Sequence, residues 1–305
     1  MATPYKTTLK RYDGSEWVPV YLSTSADIVQ MGETFNVKGQ NIGAFSDGDA
    51  VNSTDSVLNV VKKILQKKIP ATYTKPTISL ARVSGSTAGQ YEPGTTINIV
   101  VKSVYTKNDG GAITTDGHFI SDGSEQFQKG NSDTINYTYE KVLGDSAISL
   151  VSQVTYEDGP IKNNNFDEPS PNGQIKAGTL KSSKLIFTPA RYIFWGADSA
   201  GTTSAIANSA GIRALSGKKF GGKNTTFDLS VPKGSTRATI AFPKTVGTLA
   251  KVEYVESGNA NVTGQFALTE VQVEGANAAS PVAYNVYTLS WVQPTAGAMT
   301  LHVTI

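Results

Sequence analysis

Apolar residues follow two different periods along this chain. Over residues 55–69, "DSVLNVVKKILQKKI", Val57, Leu58, Val61, Ile64 and Leu65 recur at i, i+3/i+4, i+7, the spacing of one helix face. Asp55 or Ser56 can cap the start, and Pro70 ends the run. Lys62, Lys63, Lys67 and Lys68 cover the rest and sit near the C-terminus, where the helix dipole favours cations. A helix of about 15 residues is marginal alone in water, so the stripe must pack on something. Its own domain and copies of itself in a dimeric or trimeric bundle are both open, and about two heptads do not decide an oligomer state.

From Ala71 the period changes to two. "TISLARV", "TTINIVVKSVYT", "TINYTYEKV" and "AISLVSQVTYE" alternate or carry β-branched and aromatic residues. Turn signals separate them: "EPGT" (92–95), "KNDGG" (107–111), "SDGS" (121–124) and "KGNSD" (129–133). Short strands at roughly 8–12-residue spacing predict a β-sandwich, placed at 71–188 and Ig-like in architecture only, since there is no Cys pair. The stretch 158–178, "DGPIKNNNFDEPSPNGQIKAG", reads as a long exposed loop.

A second β-domain is expected over 189–305, with strands such as "RYIFWG", "TTFDLSV", "RATIAF", "PVAYNVYTLSW" and "AMTLHVTI". The last alternates cleanly, with Met299, Leu301, Val303 and Ile305 on one face, and its pairing into a sheet is the expectation for the C-terminus. A small-residue loop near 196–224 carries one helical turn around "IRALS". Residues 1–54 read as short strands, turns and loops, with Asp13-Gly14 marking a hairpin between Arg11-Tyr12 and Trp17-Val18-Pro19-Val20. No repeat of fixed period is found. The fold class is therefore mainly β: an N-terminal segment with one short helix, then two β-sandwich (Ig-like) domains.

Composition narrows the function classes. Only 17% of the 305 residues are charged, against the usual ~25%, and Gly, Ser, Thr and Asn fill the balance, a mix typical of β-rich extracellular or virion proteins. A net charge of +2 gives no electrostatic case for nucleic acid or an acidic membrane. Cysteine is absent, so neither disulfides nor thiolate metal sites exist. "MATPYKTTLK" has no apolar core of a secretory signal, and no run approaches the ~20 apolar residues of a membrane span. The expectation is a protein that stays in the cell that makes it, or leaves by a route other than ordinary secretion, of which virion assembly followed by lysis is one.

Catalysis has little to work with. Of two His, His118 lies in "DGHFIS" and reads as a strand-edge residue beside a turn; a triad with Asp116 and a Ser lacks any G-x-S-x-G elbow. His302 alternates with the apolar face of the last strand. "GKKFGGKN" (217–224) approaches a phosphate loop, but Asn224 replaces the Ser/Thr, and a strand pattern follows where a helix is required. "SDGDAVNSTD" (46–55) and "SDGSEQ" (121–126) cluster carboxylates with Gly but miss the EF-hand pattern; turns explain them. The pairs Glu157–Asp158 and Asp167–Glu168 could in principle serve a glycosidase, with a solvated loop as the simpler reading. Tyr192, Phe194, Trp195, Tyr284, Tyr287 and Trp291 are mostly expected in the core. No cofactor or metal is expected.

"LKRYDGSEWVPVYLSTSADIV" resembles the N-terminal segments of tailed-phage fibre and head-associated proteins, whose "YDG-x-x-W-x-P-V" run opens a virion-attached module. "EDGPIKNNNFDEPSPNGQIKAGTL", "RYIFWGAD", "IRALSGK", "VPKGSTRATIAFPKTVGTLAKVEYVE" and "VQVEGANAASPVAYNVYTLSW" resemble β-domains of structural proteins from phages and prophages of Bacteroidetes, including crAss-like phages. The resemblance implies a non-enzymatic head fibre, head decoration or tail-fibre-type protein, made in the host cytoplasm and carried on the capsid surface or tail. Residues 1–54 would dock onto capsid or tail proteins, with Tyr12, Trp17, Val18, Pro19 and Val20 as the anchor. The helix at 55–70 would gather copies of the chain, a trimer ahead of a dimer, through Val57, Leu58, Val61, Ile64 and Leu65. The β-domains at 71–188 and 189–305 would serve attachment or display, with a host surface glycan as a candidate ligand and neither nucleic acid nor membrane insertion involved. The runner-up is a bacterial surface adhesin or carbohydrate-binding module; a glycan depolymerase ranks third.

Overall fold

The computed structural model describes residues 9–12, 17–20, 34–38, 41–198 and 203–305, the side chains of 9–12, 17–20 and Phe35 excepted. The chain is mainly β. It forms two compact units: unit 1 comprises 1–75, 108–112 and 157–177, and unit 2 comprises 76–107, 113–156 and 178–305.

In unit 1, β1 (Leu9–Tyr12) pairs antiparallel with β2 (Trp17–Val20), the hairpin expected around Asp13-Gly14. A second short pair joins β3 (Phe35–Asn36) to β4 (Ala50–Val51). The helix α1 runs Val57–Leu65, shorter than the expected 55–69. Ser56 is its N-cap and accepts from the Asn59 N–H at 3.1 Å, which satisfies one orphan donor. The early stop has a tertiary cause. Asn165 takes the backbone that further helical turns would use: its Oδ1 accepts from Ile69 N at 2.8 Å and its Nδ2 donates to Lys67 O at 3.1 Å.

The segment 158–178 is thus no free loop. Most of it belongs to unit 1, where it straps the helix and the residues after it. Tyr73 Oη donates to Ser170 O at 2.7 Å and accepts from Lys162 N at 2.8 Å. Lys162 pairs with Asp109 at 2.7 Å, and Asp109 accepts from Thr74 N at 2.7 Å. The burial of α1 also differs from the expected stripe. Val60, which was not part of that stripe, points inward with Val37, Phe45 and Val51 to form a small core.

Unit 2 holds two sandwiches. The first contains β5 (Thr77–Gly85), β6 (Gly89–Tyr91), β7 (Thr96–Thr106), β8 (Ile113–Ser121), β9 (Gln126–Gly130), β10 (Thr134–Val142), β11 (Ile148–Tyr156), β12 (Gly178–Lys181) and β13 (Leu185–Pro189). One sheet has the order β10-β7-β5 and the other β6-β13-β11-β8-β9, with β12 also on β11. Strand β7 alternates as its sequence predicts: Ile97, Ile99, Val101, Ser103 and Tyr105 face inward. Opposite them, β11 turns in Ile148, Leu150, Ser152, Val154 and Tyr156. Ile99, Val101, Ile120, Leu150 and Phe187 are among the side chains that fill the core between the sheets.

The second sandwich contains β14 (Tyr192–Asp198), β15 (Gly217–Phe220), β16 (Thr226–Val231), β17 (Arg237–Pro243), β18 (Lys251–Tyr254), β19 (Ala260–Asn261), β20 (Ala267–Val273), β21 (Val282–Ser290) and β22 (Met299–Thr304), with one helical turn, α2 (Ser209–Arg213). Its sheets run β15-β14-β17-β21-β20 and β16-β22-β18-β19. Leu229, Ile240, Phe242, Leu301 and Val303 pack between them. The five-stranded sheet also buries its other face: Phe194, Ala241, Tyr284 and Val286 pack against Ile206 and Ile212, the latter on α2. Double coverage explains why β17 and β21 read as nearly continuous apolar runs rather than alternating ones.

The two sandwiches share a polar joint. Glu92 is only 6% exposed and takes a two-pronged grip from Arg213, Nη1 to Oε1 at 2.6 Å and Nη2 to Oε2 at 2.9 Å. Arg213 Nη1 also donates to Glu274 O at 2.7 Å. Ala276 N donates to Pro93 O at 2.8 Å, and Asn277 Nδ2 to Gly94 O at 3.0 Å. Gly94 sits at φ +92°, and a Cβ there would lie 1.9 Å from Ala276 O, so both the backbone angle and the contact require glycine.

Candidate functional site

The expected anchor residues Tyr12, Trp17, Val18, Pro19 and Val20 lie on the β1–β2 pair, where Tyr12 stands opposite Trp17; their side chains fall outside the described residues. The helix residues can be placed fully. Val57 is half-buried, while Leu58 is 63% exposed, Val61 42%, Ile64 46% and Leu65 77%. The stripe read from the sequence is therefore split: Val60 serves the local core, and Leu58, Val61 and Leu65 form an outward apolar line at i, i+3, i+7. Beside it, Val37, Ile42, Phe45, Val51, Val60 and Ile64 line an apolar groove of about 240 Å³.

A charged cluster fixes the other side of α1. Glu168 bonds Lys63 through Oε1 and Lys68 through Oε2 at 3.0 Å. The hydrogen bond from Lys63 is the chief cause that lowers the Glu168 carboxyl to about 2; burial opposes it, and Lys68 and Asn164 add to the lowering. Lys63 Nζ also lies 5.6 Å from the Phe45 ring centroid and 6.0 Å from that of Phe166. The Asp167–Glu168 pair is thus half committed to lysines. In the other acidic pair, Asp158 accepts from Ala177 N at 2.6 Å and Lys176 Nζ at 3.0 Å.

His118 corrects the expectation of a strand-edge residue. It is wholly buried inside the first sandwich. Its Nε2 lies 2.8 Å from Ser103 Oγ, and its Nδ1 lies 2.7 Å from Ser132 O. Ser103 Oγ donates to Ser152 Oγ at 2.6 Å, and Ser152 Oγ to Phe119 O at 3.2 Å. One layer of this core is therefore polar, with its members bonded across the two sheets. A Ser–His contact of this length is the geometry of an activated nucleophile, but neither Ser103 nor His118 presents surface to solvent, and the second imidazole nitrogen meets a carbonyl rather than Asp116. The arrangement satisfies buried polar groups. The signal was in the sequence: period two places His118 on the face of Ile120.

The remaining motifs resolve into turns and pairs. Asp122 Oδ1 accepts from Ser124 N, Ser124 Oγ and Glu125 N, and Oδ2 accepts from Tyr139 Oη at 3.0 Å and Lys141 Nζ at 2.8 Å. Burial alone would raise this carboxyl, but these donors outweigh it and hold it well below the usual range. Asp49 and Asp55 accept from the backbone N–H of Ser46 and Asn52. In "GKKFGGKN" the strand β15 turns directly into β16, with no helix to receive a phosphate. His302 Nδ1 lies 2.6 Å from its cross-strand neighbour Asp228. Trp195 stacks on Phe227 and packs on the core between the sheets. Among the described residues no cluster of three or more His, Cys, Asp or Glu is placed to hold a metal ion, and no helix is long and apolar enough to cross a membrane.

The chain matches no family model, no curated protein and no solved structure.

Proposed function

We propose that this chain is a non-enzymatic structural protein of a phage virion, a head fibre or head decoration or a tail-fibre-type protein, which self-associates through α1 and uses its two sandwiches for attachment or display. One observation carries the self-association: Leu58, Val61 and Leu65 are exposed on α1; the virion role rests on the sequence resemblance. Their i, i+3, i+7 spacing is that of a coiled-coil seam. In water such a line is a cost, at roughly 25 cal/mol per Å² of apolar surface, and copies of the same line relieve it. A trimer stays ahead of a dimer on the resemblance to fibre proteins, since a helix this short does not itself decide the oligomer state. Residues 1–54, with Trp17 as anchor, supply the docking segment for capsid or tail proteins.

Sedimentation analysis of the full chain tests the association. A trimer that falls to monomer in Leu58→Glu and Leu65→Glu, with the β-signature in circular dichroism unchanged, supports the reading. A chain that stays monomeric across its soluble concentration range overturns it. Mass spectrometry of purified particles tests the location: a fixed copy number that matches a vertex or fibre count is expected.

A further inference from the structure

The five-stranded sheet of the second sandwich is covered unevenly on its outer face. Ile206 and Ile212 close over Phe194, Ala241 and Val286. Further along the same face, Gly196 and Asp198 of β14 stand beside Thr239 and Arg237 of β17. There the covering segment leaves a cavity of about 590 Å³, within the roughly 300–1,000 Å³ of small-molecule sites. Ala205, Ala207, Gly211 and Ala214 line it and are too small to fill it. Asp198 and Arg237 line it as a fixed pair. Arg237 Nε donates to Asp198 Oδ2 at 3.0 Å, Nη2 donates to the same oxygen, and Nη1 donates to Ser204 O at 2.6 Å. A guanidinium carries five N–H groups, so each terminal nitrogen keeps one with no partner among the described residues. Asn208 is fixed in the same manner: its Oδ1 accepts from Gly211 N at 2.8 Å, which leaves Nδ2 to donate. Ser216 completes the polar lining. The sheet beneath is polar as well. Asp198 Oδ1 and the hydroxyls of Thr239 and its cross-strand neighbour Thr288 are buried with no partner among the described residues, and buried groups of this kind are met by ordered water.

We infer that this cavity binds one neutral sugar unit of a surface glycan. Charge selects against ions: Asp198 cancels Arg237, and no other charged residue lines the cavity. Hydrogen bonding selects for hydroxyls, which donate and accept at once. Sugar oxygens accept from the spare Arg237 N–H groups, from Asn208 Nδ2 and from Ser216. Sugar hydroxyl protons go to Ser216 Oγ and to the Asp198 carboxylate, which has lone pairs beyond the two that Arg237 uses. An apolar ligand would strand these groups, at about 1–3 kcal/mol for each one buried. The alanine methyl groups and Leu215 meet the C–H faces of the ring. No aromatic ring lines the cavity, so a single site is weak, and several copies on one body make it useful. The inference names the ligand class for the attachment proposed above. Its biological use rests on that reading; the binding itself does not.

Saturation-transfer NMR of the full chain tests it, with neutral hexoses, deoxyhexoses and N-acetylhexosamines as probes and glucuronic and sialic acids as charged controls. At least one neutral sugar should bind with a millimolar Kd. Ala207→Trp fills the cavity from an exposed position and removes no side-chain hydrogen bond; it should weaken binding about tenfold or more, with circular dichroism unchanged. Ser216→Ala, a smaller change at an exposed residue, should weaken it a few-fold. Three results overturn the inference: no neutral sugar bound at millimolar concentration, binding that survives in Ala207→Trp, or a preference for the acidic sugars. The measurement reads each chain singly, so it stands apart from self-association and particle location. A chain found on particles that binds no sugar overturns this inference alone; a chain that binds sugar but is absent from particles upholds the site and overturns the virion reading.

Discussion

Removing Arg213 should harm the molecule more than removing its partner Glu92. The reason is the unequal burial of the two charges. Glu92 is 6% exposed, whereas the Arg213 side chain is 31% exposed. In Arg213→Ala the carboxylate loses both prongs, at 2.6 and 2.9 Å, and stays enclosed. Stranding one member of a buried pair costs about 3–5 kcal/mol. In Glu92→Ala the guanidinium keeps Glu274 O at 2.7 Å and reaches water with the rest. That variant should lose about 1.5–3 kcal/mol, the worth of a hydrogen bond to a charged group. The double variant should cost about as much as Glu92→Ala alone, since no charge is left stranded, which gives a coupling energy about equal in size to the Arg213→Ala cost, about 3–5 kcal/mol. Urea unfolding of the full chain, followed by circular dichroism and by the fluorescence of Trp195 and Trp291 in the second sandwich, measures each term. Because the pair lies at the joint, Arg213→Ala should also separate the unfolding of the two sandwiches into distinct transitions. A loss below about 1 kcal/mol for Arg213→Ala, or an equal or larger loss for Glu92→Ala, would refute the burial argument.

Gly94→Ala should weaken the same joint by about 1–3 kcal/mol or more, because it adds a left-handed φ penalty to a backbone clash; hydrogen exchange in residues 274–280 reports the loosening. Asp122 gives a pH signature. Its folded carboxyl is lowered, so its contribution is complete above the unfolded value of about 3.9 and is lost as pH falls through the folded value. Asp122→Asn should therefore be less stable than the parent near neutrality and flatten the loss of stability on acidification below about pH 4, read by unfolding midpoints across pH. His118→Ala should cost about 1–3 kcal/mol by depriving Ser103 of its imidazole partner. Combining it with Ser103→Ala and Ser152→Ala should cost less than the sum of the three, and full additivity in urea midpoints would contradict a shared network.

What could be read from the sequence was what local spacing determines. Both sandwiches follow from period-two strands such as β7 and β22, whose inward residues the alternation names correctly. The start of α1 at Ser56 follows from its capping chemistry. What escaped is set by residues far apart in the chain. The helix ends at Leu65 because Asn165, about 100 residues on, takes the backbone of Lys67 and Ile69, and no window of propensity contains that partner. The same strap decides which face of α1 is inside: with Val60 turned to the core, Leu58 and Leu65 are left outside, a split that one apolar stripe could not reveal. Glu92 looked like an ordinary turn residue until Arg213 closed on it. His118 is the instructive exception: alternation with Ile120 places it inward, whereas its position beside the Asp116-Gly117 turn reads as a strand edge, in keeping with the general rule that polar residues face water. That rule yields wherever a buried layer supplies its own partners, as Ser103, Ser152 and Ser132 do here. The same logic applies to Asn164. Its carboxamide is held nearly out of water by Phe166 N, Glu168 N and the Glu168 carboxylate, all within four residues, so a local turn builds it, and only the Lys63 that the same carboxylate holds comes from far along the chain.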